Sequence, residues 1–138
     1  MYVLDTDMLS HLLRGHARVK ERVAHATSEV VLTVATRIEQ LQGRFAAVLK
    51  AEDGDKLHRA QQRLLQSEID LNRFTTLLVD AAAASEFDRL LGVKGLRRIG
   101  RADLLIATIA LANDATLVTR NLKHFRQVPR LRLENWAD

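Results

Sequence analysis

Cysteine is absent from this 138-residue chain, and proline occurs only once. Without cysteine there can be no disulfide bond, no thiolate zinc site and no cysteine nucleophile, and the chain suits a reducing compartment such as the cytoplasm. Aromatic residues make up only 4% of the sequence, which argues against a stacking surface for nucleic-acid bases. No apolar run approaches the roughly 18 residues of a membrane-spanning helix. The first apolar run starts at Tyr2, so we expect neither a signal peptide nor membrane association.

Hydrophobic residues account for 47% of the chain, which is enough for an ordinary core of Leu, Val, Ile and Ala. The length of 138 residues predicts one compact domain over residues 1–138. Lysine and arginine outnumber the acidic residues, giving a net charge of +4 and a pI of about 10.0. A surface with this charge balance favours polyanions such as nucleic acids.

Short β-branched and apolar runs alternate with helical patterns along the chain. Strands are predicted over residues 2–4, 30–33, 74–79 and 116–119, with a short edge strand over 131–133. Helices are predicted over residues 8–14, 17–26, 81–91 and 103–113, together with an antiparallel hairpin of two long amphipathic helices between residues 36 and 66. This alternation predicts an α/β fold with a mainly parallel sheet of four or five strands, covered by helices.

Four polar residues hold equivalent places beside these elements. Asp5 ends the first strand, and Glu39 lies early in the helix after the second strand. Asp103 opens an almost wholly apolar helix, and Asn121 follows the fourth strand. Sites in open α/β sheets form outside the carboxyl ends of the strands, and carboxylates gathered there repel one another unless a cation neutralises them. The pattern therefore predicts a site for a hard divalent metal ion.

Each acidic residue also has a structural alternative. Asp5 or Asp7 could cap the helix that begins near residue 8, and Asp103 could cap its own helix. Thr36 and Glu39 match a capping box, in which the Glu39 carboxylate would reach back to the backbone N–H of Thr36. One helix needs only one cap, so capping does not explain both Asp5 and Asp7. A catalytic or metal-binding role is therefore favoured, more strongly for Asp5 than for Asp7.

Asn121 suits a turn as well as a neutral oxygen ligand, and the Thr119 hydroxyl could hold either Asp5 or a phosphate. Two clusters of basic residues flank the predicted cleft. They could contact phosphates, or they could belong to ordinary solvated loops. These residues are Lys94, Arg97, Arg98, Arg101, Arg120, Lys123, His124 and Arg126. The five histidines lack paired ligand spacing, so none is assigned to metal. His11 and His16 are expected near solvent.

Five segments, taken in order, resemble the PIN domain, and closely the VapC-type toxins of bacterial toxin–antitoxin pairs. They are residues 2–10 (YVLDTDMLS), 33–41 (TVATRIEQL) with Gly43, 100–107 (GRADLLIA), 117–125 (LVTRNLKHF) and 128–136 (VPRLRLENW). The resemblance covers nearly the whole chain and implies a PIN-like, three-layer α/β/α fold.

The resemblance implies a ribonuclease that depends on Mg²⁺ or Mn²⁺ and leaves a 5′-phosphate and a 3′-hydroxyl. Asp5, Glu39 and Asp103 would form the acidic site, with Glu39 binding metal directly or through water. Asn121 stands where many PIN domains have a fourth acidic residue, which leaves open whether one ion or two are held. The expected substrate is tRNA or another structured RNA. Its expected phosphate contacts are Arg97, Arg98, Arg101, Arg120 and Lys123.

The resemblance also implies partners. Such toxins form homodimers, and a small VapB-like antitoxin with a DNA-binding domain wraps them and blocks the site, so that a hetero-oligomer can sit on DNA. The predicted hairpin, residues 38–65, is the candidate antitoxin groove, because its apolar face exceeds what a thin sheet can cover.

Three other functions fit parts of the pattern. A phosphatase of the haloacid-dehalogenase type would use Asp5 as a nucleophile, but Leu9 replaces the expected Thr or Val and no lysine block follows. A catalytically silent PIN-like protein that binds nucleic acid or a partner would usually lack these acidic residues. A PIN nuclease of RNA processing would share the chemistry but would have no antitoxin gene beside its own.

Overall fold

The computed structural model describes the backbone of residues 1–138 and every side chain except that of Arg97. Over these residues, five strands form one parallel sheet in the order β3-β2-β1-β4-β5. The strands are β1 Tyr2–Leu4, β2 Val30–Thr33, β3 Thr76–Leu77, β4 Thr116–Val118 and β5 Arg132–Glu134. The central strand β1 pairs with both β2 and β4, so that Tyr2 is in register with Val30 and with Thr116.

Helices cover both faces of the sheet, because neighbouring strand residues point to opposite faces. In β1, Val3 belongs to one buried core and Leu4 to the other, and β2 and β4 alternate in the same way. The helices are α1 Thr6–Leu13, α2 Ala17–Ala24, α3 Val34–Leu49, α4 Gly54–Leu71, α5 Ala81–Leu91, α6 Arg101–Ala112 and α7 Leu122–Phe125, with a 3₁₀ turn at Leu96–Arg98. This architecture confirms the three-layer α/β/α prediction. In the part of the chain that the structure describes, no helix has the length and apolar character needed to cross a membrane.

Side-chain caps explain the main differences between predicted and observed helix boundaries. α1 begins before residue 8 because the Asp5 side chain caps it. α3 begins at Val34 rather than at residue 36, because Thr33 Oγ1 accepts a hydrogen bond from the backbone N–H of Thr36. α4 is longer than predicted and β3 is much shorter, since the last residues of the predicted third strand leave the sheet before α5.

α3 and α4 form the predicted antiparallel hairpin. Arg44 Nε donates to Ser67 Oγ at 3.0 Å, and Arg37 Nη2 donates to Asn72 Oδ1 at 2.9 Å. Part of the hairpin joins the core that contains Leu4, because Leu71 belongs to it and Leu41 packs against it, but much of the apolar stripe stays outside. Its exposed members are Ile38, Phe45, Leu49, Leu57, Leu65 and Ile69. The hairpin therefore presents an apolar surface that the sheet leaves uncovered, as its sequence pattern predicted.

Candidate functional site

The strand order reverses between β1 and β4, and in open α/β sheets ligands bind in the crevice outside the carboxyl ends at such a reversal. A cleft of about 650 Å³, the main cleft, opens at this place. Its lining residues are Asp5, Thr6, Asp7, Ser10, Glu39, Asp103, Arg120, Asn121 and Phe125. The four residues selected from their places in the sequence, and Asp7 with them, therefore share one cleft although they come from four parts of the chain.

Asp5 combines a capping role with a place in the main cleft. Its side chain caps α1, with Oδ1 accepting a hydrogen bond from the Met8 N–H at 2.8 Å. Asp5 is only 7% exposed, and burial raises the pKa of its carboxyl to about 6. The hydroxyl of Thr119 and the N–H of Met8 oppose this rise in pKa, whereas the charges of Asp7 and Asp103 add to it. A buried carboxylate repelled by two others is an environment that a cation would stabilise.

Glu39 does not belong to a capping box, so that alternative is wrong. The cap of α3 is Thr33, which places Glu39 in the second turn, beyond the reach of the unpaired N–H groups at the helix start. Glu39 Oε1 instead accepts a hydrogen bond from Thr6 Oγ1 at 2.6 Å, and Thr6 Oγ1 also lies 3.1 Å from Thr36 Oγ1. Thr6 thus holds the Glu39 carboxylate against α1, a contact that sequence reasoning did not identify.

Asp103 does not cap its helix either. The cap position of α6 is Gly100, and Asp103 lies in the first turn with its side chain 41% exposed. His124 Nε2 lies 3.0 Å from Asp103 Oδ2. The His124 ring also packs against Phe125, with ring centroids 5.2 Å apart. Sequence reasoning grouped His124 with the basic loop residues and missed this contact, because nothing in its spacing links it to Asp103.

Thr119 and Asn121 support the main cleft from the end of β4. Thr119 is fully buried, and its hydroxyl oxygen accepts a hydrogen bond from the Asn121 N–H at 3.0 Å. Because the Thr119 hydroxyl also bonds Asp5, the structure favours a role for Thr119 in holding Asp5 over contact with a phosphate. Asn121 begins α7 without a capping bond from its side chain in the described structure, so its amide remains available to the main cleft.

Among the side chains that the structure describes, Arg120 is the arginine that lines the main cleft. Arg120 Nη1 lies 3.4 Å from His11 Nε2, and Arg120 Nη2 lies 3.3 Å from Asp138 Oδ1. His11 Nε2 in turn lies 3.5 Å from Asp7 Oδ2, and the His11 side chain is mostly buried. His11 thus lies near the surface, as expected, but the contacts with Arg120 and Asp7 hold its ring against the protein and leave its side chain 17% exposed.

The other candidate phosphate contacts are not gathered into the main cleft. Arg98, Arg101 and Lys123 are exposed, and none of them lines the cleft among the described side chains. The Arg101 guanidinium lies 5.3 Å from the ring centroid of Phe87, a cation–π distance. Arg97, the remaining candidate, lies outside the described side chains.

The donor set of the main cleft suits a hard divalent cation. Its carboxylate and amide groups offer oxygen ligands, which Mg²⁺ and Mn²⁺ prefer. Among the described residues, no three His, Cys, Asp or Glu side chains form a ready-made metal-binding group. Mg²⁺ commonly retains several waters and takes only one or two protein carboxylates, so the residues present fit such an ion without a closed ligand cage.

The chain is similar to known proteins in both sequence and fold. The model of the PIN domain family matches residues 2–131 of the chain. The chain is 40% identical to Ribonuclease VapC2 of Rickettsia felis over 84 residues, which cover 59% of this chain and 62% of that protein. It is 26% identical over 140 residues to the tRNA(fMet)-specific endonuclease VapC of Shigella flexneri, covering 99% and 98% of the two chains. Its fold is similar to that of a chain in the crystal structure of VapBC2 from Rickettsia felis bound to a DNA fragment from their promoter, with a TM-score of 0.76, 28% identity and 98% of each chain covered.

Proposed function

The chain belongs to the PIN domain family, and from this membership we propose that it is an endoribonuclease dependent on Mg²⁺ or Mn²⁺, and the toxin of a toxin–antitoxin pair. The observation that carries the proposal is the meeting of Asp5, Glu39 and Asp103 in one cleft at the carboxyl edge of the sheet. Relatives named as a ribonuclease and as a tRNA(fMet)-specific endonuclease support it.

In this proposal, Asp5 and Asp103 hold the metal, Glu39 binds it directly or through water, and Asn121 contributes a neutral oxygen. One or two ions are compatible with these ligands. When bound, the ion would activate water and stabilise the charge that develops on the phosphoryl oxygens. Asp7 and Thr119 act beside this set, Asp7 through its charge and Thr119 by holding Asp5.

The chain's own residues supply orientation. Thr6 fixes the Glu39 carboxylate, and His124 fixes that of Asp103, so that both face the substrate in a defined direction. Water attacks phosphorus in line, the bond from phosphorus to the 3′ oxygen breaks, and the products carry a 5′-phosphate and a 3′-hydroxyl. Arg120 lies where its guanidinium can contact a phosphoryl oxygen.

The proposed substrate is tRNA or another structured RNA, on the strength of the Shigella relative's name. The proposed partners are a second copy of the chain and a VapB-like antitoxin, in a hetero-oligomer that can bind DNA as the Rickettsia complex does. The antitoxin would cover the apolar surface of the hairpin. We further propose that residues 1–138 form one domain that works in the cytoplasm, where this RNA is found.

The test is cleavage of total host RNA by purified protein freed of antitoxin, with Mg²⁺, with Mn²⁺ and with EDTA. The test variant is Asp103→Asn. The matched control is Asp88→Asn, because Asp88 is exposed on α5, outside the main cleft, and the substitution makes the same chemical change.

Discrete cleavage that needs metal, vanishes in Asp103→Asn and persists in Asp88→Asn is the expected result, and sequencing the fragments would identify the target. RNA binding without cleavage, from folded protein that binds no Mn²⁺, would instead support the catalytically silent alternative. A short antitoxin gene beside this one would distinguish a toxin from an RNA-processing nuclease.

A further inference from the structure

A second cavity continues the main cleft along α1 and α3. This cavity of about 450 Å³, the α1–α3 groove, is lined by Leu13, Arg14, Gln40, Gly43 and Arg44 together with three residues that it shares with the main cleft, Thr6, Ser10 and Glu39. These three shared residues place the groove directly beside the main cleft. A polymer bound at the carboxylates therefore has a path out of the main cleft.

The contacts between α1 and α3 give this path a direction. Thr6 contacts Glu39 at the end beside the carboxylates, and Ser10 Oγ, one helical turn further along α1, lies 3.4 Å from Oε1 of the next residue of α3, Gln40. Both helices advance away from the carboxyl edge of the sheet, at about 1.5 Å per residue. The groove consequently ends about two helical turns from Thr6 along α1, where Arg14, the C-cap residue of α1, lines it.

Charge changes sign along the groove. The end beside the main cleft carries the Glu39 carboxylate, whereas the far end carries two guanidinium groups, those of Arg14 and Arg44. Among the described side chains, neither guanidinium has an ion pair with a carboxylate. A strand of phosphates that crosses the cation-binding carboxylates would meet positive charge again at this end.

Arg44 is held ready for an anion. Its Nε donates to Ser67 Oγ at 3.0 Å, and Ser67 is buried in α4. This bond fixes the side chain across the hairpin while using one of the five N–H donors of a guanidinium. An arginine ordered in advance loses less conformational entropy when it binds a phosphate.

Gly43 provides a separate indication that a ligand approaches the groove. It lies inside α3, where glycine is less favourable than alanine. A Cβ built at Gly43 would meet no other atom within 4 Å, so packing inside the chain does not require the glycine. The missing side chain leaves open space in the groove wall, which would let a ligand come close to the backbone there.

We propose that the α1–α3 groove is a phosphate subsite for the RNA strand on one side of the cleaved bond, with Arg14 and Arg44 contacting phosphates and Gly43 admitting the backbone. This inference rests on the proposed ribonuclease function and deepens it. It adds one arginine at the C-terminal end of α1 and one in α3 to the RNA contacts expected from the loops around α6 and α7.

The binding test uses a fluorescein-labelled, single-stranded RNA of mixed sequence and the full chain carrying Asp103→Asn, so that the RNA stays intact. Affinity is measured by fluorescence anisotropy over a range of salt concentrations for Arg14→Ala and Arg44→Ala. Each substitution is expected to weaken binding by about fivefold or more and to lower the slope of log K against log salt by about 0.7. The control is Arg132→Ala, which removes the same charge from the exposed start of β5, and it should leave both quantities unchanged.

Gly43→Ala provides an independent test. The added methyl group has space in the free protein and favours the helix, so the melting temperature should not fall. RNA affinity should nevertheless fall by about threefold or more, since a charge-assisted contact beside the methyl group is obstructed. Unchanged RNA affinity in this variant would show that no ligand approaches Gly43.

The same arginine variants with Asp103 restored separate this proposal from the proposed function. Metal-dependent cleavage with a raised KM and an unchanged kcat would support the subsite. Unchanged affinity, salt slope and KM in variants of a wild type that cleaves RNA would overturn the subsite and leave the nuclease standing. Unchanged RNA affinity with lost antitoxin binding would assign the groove to a protein partner instead. A wild-type protein that neither binds nor cleaves RNA would overturn both proposals.

Discussion

His124 Nε2 lies 3.0 Å from Asp103 Oδ2, and this contact joins α7 to the first turn of α6. A carboxylate oxygen can only accept, so the imidazole donates from Nε2. The Asp103 side chain is 41% exposed, and without this donor it could rotate toward solvent. His124 therefore orients Asp103 and leaves its other oxygen for the main cleft, in the way that partners outside the ligand set orient metal-binding carboxylates.

Replacing His124 should weaken metal binding without unfolding the protein. His124→Ala removes the donor, so Mn²⁺ affinity and RNA cleavage should each fall by about 10- to 100-fold. His124→Gln can place an amide donor near the same point and should recover most of both. Isothermal titration with Mn²⁺ measures the affinity independently of activity. Equal Mn²⁺ affinity in His124→Ala and wild type would show that the contact does not serve the metal site.

The raised pKa of Asp5 predicts a pH-dependent stability in EDTA. Because its pKa is about 6 in the folded protein, above the ordinary value of 3.8, the folded state binds a proton more tightly than the unfolded chain. Its contribution to the free energy of unfolding is therefore present below about pH 4 and is lost as the pH rises to about 6. Asp5→Asn keeps an acceptor for the helix cap and removes this dependence, so at pH 7 it should be more stable than wild type by about 1–3 kcal/mol.

Urea unfolding at pH 4 and pH 7 checks the Asp5 prediction. Asp88→Asn is the matched control, since Asp88 has the same charge but is exposed on α5, outside the main cleft. Mn²⁺ should stabilise the wild type and not Asp5→Asn. An Asp5→Asn variant that is less stable than wild type at pH 7 in EDTA would contradict the prediction.

The hydroxyl of Thr6 should matter for cleavage more than for folding. Thr6→Val has nearly the same shape but leaves Glu39 without its hydrogen bond at 2.6 Å, and we expect cleavage to fall by about tenfold. The free energy of unfolding should fall by only about 1 kcal/mol. Thr6→Ser retains the hydroxyl and should cleave at nearly the wild-type rate. The measurement is the initial rate of cleavage of the identified RNA, with the free energy of unfolding measured for each variant. Equal rates for the Val and Ser variants would exclude a role of the Thr6 hydroxyl in cleavage.

The apolar surface of the hairpin should bind the antitoxin. Phe45 and Leu65 are 52% and 50% exposed, so Phe45→Asp and Leu65→Asp should leave the free toxin folded while weakening antitoxin binding by about 100-fold. Ser85→Asp adds the same charge to exposed α5 and serves as the control. Leu64 is a poorer choice because it is half-buried. Calorimetry with the purified antitoxin would refute the hypothesis if both hairpin variants bound as tightly as the control.

The sequence was sufficient to place the acidic residues near one another but not to identify what holds them. Residue type and the period of the hydrophobic residues mark where strands end. Parallel strands bring their carboxyl ends to one edge of the sheet, so Asp5 and Glu39 could be expected there. The donors Thr6 and His124 lie 33 and 21 residues from the carboxylates that they contact. Such pairs depend on how helices are rotated against one another, which local propensity does not determine.

The capping error has a similar origin. Thr33 and Thr36 are three residues apart, and either can cap a helix by its side chain. The position where β2 ends selects Thr33, and a change in hydrophobic period locates that end only to within a few residues. Exposed residues such as Arg98 and Lys123 were grouped by charge alone, and charge does not report which way a loop side chain points.

The pairing of β1 with β4 also determines when the main cleft can form during synthesis. Residues 2–4 lie in register with residues 116–118, so the main cleft cannot form before residues 116–118 have been synthesised. At roughly 5–20 residues per second, synthesis separates Asp5 from Asp103 by on the order of 5–20 seconds, and pairing between such distant segments is slow compared with local helix formation. A nascent chain therefore carries the first carboxylate without the site. If the protein cleaves RNA as proposed, the strand order delays that activity until residues 116–118 have been synthesised.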